Sequence, residues 1–287
     1  MRLALYILLF FILGSINAQI DHPKASPLAT VEQSVGLSTI KVVYSRPAVK
    51  GRTIFGDLLP YGRIWRVGAN ESTKITTDTD MEVMGNYLPK GTYALYAFPH
   101  EKEWEIVFHK NTTHWGDGRK AYNPQEDAFR ITVVPEKTAD FQENFLISFD
   151  ALTHNSVQMQ WIWAHTKVSI SMWVDTKAQM LRQIREALQN KPTAQTYYEA
   201  ARYLQEEGQS YQEALSYLEK AIALAGDTYY FHRVKSLVEA AMQHYEKAIN
   251  SAEKSLLLAQ KEEKDEFVRM NKKNIEYWKE LIKRQKK

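Results

Sequence analysis

The chain has 287 residues, 44% hydrophobic and 12% aromatic, enough for two modest packed domains. It contains no cysteine, which excludes disulfides, thiolate nucleophiles and cysteine-ligated zinc or iron–sulfur sites. The net charge of +3 is too even to predict nucleic-acid binding, and the basic excess gathers at Lys279, Lys283, Arg284, Lys286 and Lys287, where cations suit a helix C-terminus.

Read in chain order, the first element is an export signal. Arg2 supplies a positive start, Leu3 to Leu13 is an unbroken apolar run, and Gly14-Ser15 breaks it. Ala18 is a fitting last residue before cleavage, although Ile16 is larger than the ideal small residue. The run falls short of the roughly 20 residues a spanning helix needs, so the expectation is a signal peptide over 1–18 and no membrane span afterwards. The expected location is periplasmic or secreted.

From about residue 37 to 174 the pattern has period two, as half-buried strands require. Trp104, Ile106 and Phe108 share one face; so do Phe129, Ile131 and Val133, and Phe145, Ile147 and Phe149. Val157, Met159, Trp161 and Trp163 form a further run, followed by Val168, Ile170, Met172 and Val174. Gly85-Asn86 reads as a tight hairpin and Pro89-Lys90-Gly91 as a turn. Roughly nine short strands without helical periods predict an all-β antiparallel sandwich or barrel over residues 19–174.

At Asp175 the pattern becomes helical. Met180, Leu181, Ile184, Ala187 and Leu188 form an apolar stripe on a helix over 176–189, and Asn190-Lys191-Pro192 ends it and opens the next. Leu204, Tyr211, Ala214, Leu215, Lys220 and Ala225 recur 34 positions later as Val238, Tyr245, Ala248, Ile249, Lys254 and Ala259. That period predicts an all-α array resembling tetratricopeptide repeats over 175–287, with a final helix near 262–284 and an extra residue in the first inter-helix turn at Gly208.

The chemistry-bearing residues concentrate in 44–71. Arg46, Lys50, Arg52, Arg63 and Arg66 stand among glycines, prolines and aromatics, a composition that suits a pocket for carboxylate, phosphate or sulfate. Asn70 and Glu71 are candidates to orient a hydroxyl, with Glu71 an acid or base if desolvated. A competing reading pairs Arg66 with Glu71 to pin a long loop. An open cleft gathering three or more of Arg46, Lys50, Arg52, Arg66 and Glu71 would favour a ligand; the same residues paired together under Tyr61 or Phe55 would favour pinning. Trp65 and Trp115, both in glycine-rich stretches, are candidates to stack on a sugar ring.

Metal ligation has weaker support. His109 at a strand end and His114 on the following loop can meet at one edge, with Asp117 as a third ligand, although a spacing of five is no recognised metal signature. His154 and His165 read as turn or interface residues flanking the last hairpin. Gly116, Gly118 and Ala121 fit a dinucleotide fingerprint by letter but lack a βαβ unit, and the Asp78, Asp80, Glu82 alternation has Val83 where a calcium loop needs glycine. No nucleophile elbow and no catalytic triad are legible, and no cofactor is expected.

The run YSRPAVKGRTIFGDLLPYGRIWRVGANEST, followed by LPKGTYALYAFP and EWEIVFHKNTTHWG, resembles the bacterial family called domain of unknown function 2911. The resemblance covers about residues 20–175. It implies export from a Gram-negative cell and is compatible with tetratricopeptide-like helices after the β-region. It implies no activity and no catalytic residue. The functional expectation is therefore an exported binding or scaffold protein, with an anionic or glycan ligand at the β-domain and a protein or peptide partner on the helices. The alternative is a hydrolase using Glu71 and Arg66 on envelope or imported polymers.

Overall fold

The computed structural model describes residues 22–116 and 118–285, so the expected signal peptide over 1–18 lies outside the described residues. The chain divides into two compact units, one running through Thr176 and the other from Lys177 onward.

The first unit is two antiparallel sheets around one core. The larger has the order β1-β2-β3-β6-β7-β8, built from β1 (Leu28–Val35), β2 (Ser38–Ser45), β3 (Thr73–Thr77), β6 (Gly91–Pro99), β7 (Trp104–His109) and β8 (Asp127–Val133). The smaller has the order β5-β4-β10-β9, from β4 (Met81–Val83), β5 (Asn86–Leu88), β9 (Glu136–Asp150) and β10 (Ser156–Trp173). Alternate residues from both sheets meet in the middle. Ile40, Ile75, Leu95, Ile106 and Phe108 from one sheet share a core with Val83, Ile147, Met159, Trp161 and Ile170 from the other. The predicted inward faces pack into this core, with Phe129 and Phe149 partly buried at its margin.

Three local expectations shift. The two runs Val157–Trp163 and Val168–Val174 belong to a single 18-residue strand rather than two, because β10 passes through irregularities around Ala164, whose φ is 51°, without turning. His165 therefore sits within that strand, its Nδ1 3.1 Å from the Thr138 carbonyl, and does not flank a hairpin. The β4–β5 hairpin closes on Met84-Gly85, one residue earlier than Gly85-Asn86. Val83 pairs with Asn86, and Met84 and Gly85 take the positive φ values, 47° and 84°, that a two-residue turn of this hand demands.

Residues 46–72 connect β2 to its neighbour β3 by a long excursion. Pro47 and Val49 exchange backbone hydrogen bonds with Phe145 and Glu143 on β9, so the segment binds the edge of the smaller sheet. It then returns to the larger sheet, where Trp65 and Ala97 exchange both backbone bonds at 2.7 and 2.8 Å, just past the end of the β3–β6 pairing. Val49, Ile54, Trp65 and Val67 are all buried, so this loop completes the core.

The second unit is an array of six α-helices among the described residues. They are α1 (Thr176–Gln189), α2 (Ala194–Glu206), α3 (Tyr211–Ala225), α4 (Tyr229–Ala241), α5 (Tyr245–Lys261) and α6 (Asp265–Gln285). Successive helices from α2 to α6 pack on one another, and α2 also meets α4. Thr193 caps α2 by a reciprocal bond with Thr196, so Pro192 precedes the cap rather than lying in the first turn. The starts of α3 and α5, Tyr211 and Tyr245, keep the 34-residue interval, and the α2–α3 connection is one residue longer than the α4–α5 connection, with Gly208 at φ 67°. Ala214, Ala221, Ala248 and Ala259 are buried where helices approach closely. No helix among the described residues is long and apolar enough to cross a membrane.

Candidate functional site

The 46–72 loop leaves a cleft of about 410 Å³ on its outer side. Lys50, Arg52, Arg63 and Arg66 line it, over an apolar floor that includes Leu58, Pro60 and Trp163. Local geometry fixes two of these cations. Lys50 takes a left-handed backbone conformation (φ 49°) with its N–H bonded to the Glu143 carboxylate at 2.9 Å. Arg52 donates from Nε to Val49 O and from an Nη to Ala48 O, at 2.9 and 2.6 Å, which holds its guanidinium against its own loop. Neither the Lys50 nor the Arg52 side chain has an ion-pair partner among the described residues, so their charge is available to the cleft. Three of the five residues used as the sequence criterion, Lys50, Arg52 and Arg66, are therefore gathered here.

The other candidates lie elsewhere. Arg46 is absent from the cleft wall and donates from Nε to the Phe145 carbonyl at 3.0 Å, tying β2 to β9. Asn70, at φ 63°, donates to Ser26 O and Ser45 Oγ and so fastens the loop. Glu71 pairs with Lys74 at 2.7 Å and not with Arg66. The Lys74 ammonium holds this 60%-exposed carboxyl below its usual range, opposite to the raised value a general acid needs. Trp65 is only 3% exposed and packs against Phe55, Trp104, Phe145, Trp161 and Trp163. Its indole N–H is bonded to Gly68 O, so it reaches the cleft from within the core and offers no open stacking face. Trp115 is 74% exposed and lines a different depression with Arg119 and Lys120.

A second polar cluster occupies the outer face of the larger sheet. Tyr96 and His109 are fully buried there, beneath Tyr122 and the loop that carries His114. A bulge opposite Phe108 makes His109 pair with Asp127, and their side chains meet with Nδ1 and Oδ1 3.0 Å apart. Asp127 also accepts from the Tyr122 hydroxyl at 2.8 and 2.9 Å and from Arg130 Nε at 2.9 Å. Burial and the Asp127 carboxylate together push the Tyr122 phenol well above its ordinary range. Burial also raises Tyr96, with Ser72 and Arg66 pulling the other way. His114 places Nδ1 3.2 Å from the Tyr96 hydroxyl.

The predicted meeting of His109 and His114 is found, with ring centres 5.5 Å apart. The third group beside them is Glu126, from a single 3₁₀ turn (Pro124–Glu126) capped by Asn123, while Asp117 lies outside the described residues. Sequence reasoning missed Glu126, Asp127 and Tyr122, because they reach His109 across a strand pair. The Asn123-Pro124 start of the turn, followed by two adjacent carboxylates, was the signal that could have found them.

No match was found among curated proteins or among solved structures. A family model matches residues 26–172, which spans the cationic loop, the outer-face cluster and both sheets. The chain therefore belongs to the family described as Protein of unknown function (DUF2911).

Proposed function

We propose that this is an exported binding protein whose β-unit holds a small anionic ligand, a carboxylated, phosphorylated or sulfated saccharide, in the cleft over the 46–72 loop. The observation that carries the reading is the convergence of Lys50, Arg52, Arg63 and Arg66 on one cleft of about 410 Å³. That volume suits a small molecule, and an apolar floor with a few placed cations is the usual composition of such sites. Guanidinium forks give planar, two-point recognition of an oxyanion, which a lysine alone does not. The helical array, read as tetratricopeptide-like from its 34-residue recurrence, would offer a protein or peptide partner its surface. The hydrolytic alternative is less well supported, since it needs Glu71 as an acid or base working with Arg66, and Glu71 is instead exposed, paired with Lys74 and absent from the cleft that Arg66 lines.

The test is calorimetric titration of the protein with glucuronate, a sugar phosphate and a sulfated sugar, against neutral glucose. Saturable binding of at least one anionic sugar is expected, weakened at least tenfold by Arg63→Glu and by raising salt from 50 to 500 mM. Equal binding of glucose, or an unchanged affinity in the folded Arg63→Glu variant, would remove the reading.

A further inference from the structure

The geometry points to a divalent transition-metal site, Zn²⁺ by its donor set, held by His109, His114 and Glu126 on the outer face of the larger sheet. One ligating atom of each lies within 4.8 Å of the other two. Two imidazoles and a carboxylate form a donor set that Zn²⁺ uses when one position is kept open for water or substrate. Ligand bonds of about 2.0–2.2 Å place neighbouring donors roughly 3.3–3.5 Å apart in a tetrahedron. His109 Nε2 and Glu126 Oε2 already stand 3.4 Å apart.

The decisive group is His109. Its side chain has no exposure, and Nε2 is buried without a hydrogen bond, since the approach to Glu126 misses hydrogen-bond geometry. The tautomer follows from its other nitrogen. Asp127 accepts from Tyr122 and Arg130, and an ionised carboxylate can only accept, so the proton between it and His109 belongs on Nδ1. With Nδ1 engaged by Asp127, Nε2 is the nitrogen that faces the Glu126 carboxylate. A cation between the buried Nε2 and the partly exposed Glu126 carboxylate would give that nitrogen the partner it lacks.

The surroundings match a metal centre in a further respect. Ligating histidines normally have the non-ligating ring nitrogen held by a carboxylate or another oxygen, which fixes the ring and raises its basicity. Asp127 does this for His109, and the buried Tyr96 hydroxyl does it for His114, leaving Nε2 as the nitrogen His114 would use. Asn111 Nδ2 reaches both Glu126 oxygens at 3.3 and 3.4 Å and orients that carboxylate. This site stands independently of the cationic cleft.

The experiment is calorimetric titration of Zn²⁺ into untagged, chelator-stripped protein, with Co²⁺ as a spectroscopic probe. One equivalent of Zn²⁺ is expected to bind, and Co²⁺ should give the visible absorption of a four- or five-coordinate ion. His114→Ala and Glu126→Gln change partly exposed side chains and keep His109 in place; each should weaken Zn²⁺ binding at least tenfold and erase the Co²⁺ band, with unchanged circular dichroism. Absence of saturable Zn²⁺ binding to wild type would overturn the site. Binding that both folded variants retain would also overturn it, by placing the ion on surface histidines elsewhere.

Discussion

His109 and Asp127 face each other on the outer surface of the larger sheet only because β8 carries a bulge opposite Phe108. Under strict alternation Asp127 would follow Phe129 and Ile131 to the inner face, where an ionised carboxylate is untenable. The extra residue turns it outward onto His109, Tyr122 and Arg130. Removing that carboxylate leaves a buried imidazole and a half-buried phenol without their acceptor. Asp127→Ala should therefore cost about 2–4 kcal/mol of unfolding free energy, and Asp127→Asn less, since its oxygen still accepts. Urea denaturation of both variants checks the order; equal costs would show that the hydrogen bonds do not set the stability here.

Trp65 makes a different demand. It sits among three other tryptophans and two phenylalanines, and its backbone is paired with Ala97. Trp65→Ala should destabilise the β-unit by about 3–5 kcal/mol through the cavity left behind. Trp65→Phe, which refills most of that space, should cost clearly less. Equal unfolding midpoints for wild type and Trp65→Ala would put the indole outside the core.

A stabilising change is available at Met84. This residue holds φ 47° in the first position of the two-residue β4–β5 turn and is exposed. An asparagine there produces Asn-Gly, the pair that most readily adopts two successive left-handed residues. Met84→Asn should raise stability by about 0.5–1 kcal/mol, read as a higher thermal midpoint with unchanged denaturant slope. A lowered midpoint would mean that the methionine packs more than it strains.

What could be read directly were the features written by local periodicity. Alternation in Trp104–Phe108 and Val157–Trp163 marked their inward faces, and the 34-residue interval marked the helix starts at Tyr211 and Tyr245. The extra residue at Gly208 was visible for the same reason. What escaped depends on residues far apart in the chain. Trp65 has the neighbours of a surface loop, yet its segment returns to the sheet beside Ala97. Glu71 had two cations close in sequence, and it pairs with Lys74, at the start of β3, three residues on. Lys220 and Lys254 are equivalent by repeat but not by contact: one lies over Tyr197 and Tyr217, the other pairs with Asp227.

Ser255 shows the same limit inside the array. It stands where the first repeat has Ala221, but its hydroxyl donates to Tyr229 O at 2.6 Å and accepts from Asn271 Nδ2 at 2.8 Å. Asn271 is fully buried and in turn accepts from Arg233, so the serine ends a polar chain joining α4, α5 and α6. Ser255→Ala should cost about 1–3 kcal/mol although it restores the repeat residue, because the Asn271 amide loses its acceptor. Ser255→Ala combined with Asn271→Leu should recover part of that loss. A neutral single substitution, measured by denaturation followed at 222 nm, would mean that the chain contributes nothing.

The helical unit should also weaken with acid in two separate windows, both traceable to Asp227 and His232. The His232 ring is nearly buried, with Nε2 2.7 Å from Asp227 Oδ1, and Lys254 reaches the same aspartate at 2.8 Å. Burial lowers His232 from its ordinary 6.5; Lys254 and Lys235 lower it further, and Asp227 opposes them. In the folded state the ring therefore stays neutral at a pH where the unfolded chain already binds a proton. Stability is thus full above about 6.5 and declines as pH falls from there towards the depressed folded value. Asp227 is held below its ordinary 3.8 by Lys254 and His232, so its contribution is present above that value and is lost only as pH falls through the lower folded one. His232→Gln should flatten the loss between pH 7.5 and 5 and leave the acid-limb loss below pH 4 in place. Urea midpoints followed at 222 nm across that range decide it: a variant that loses stability between pH 7.5 and 5 as steeply as wild type would assign the upper window to another group.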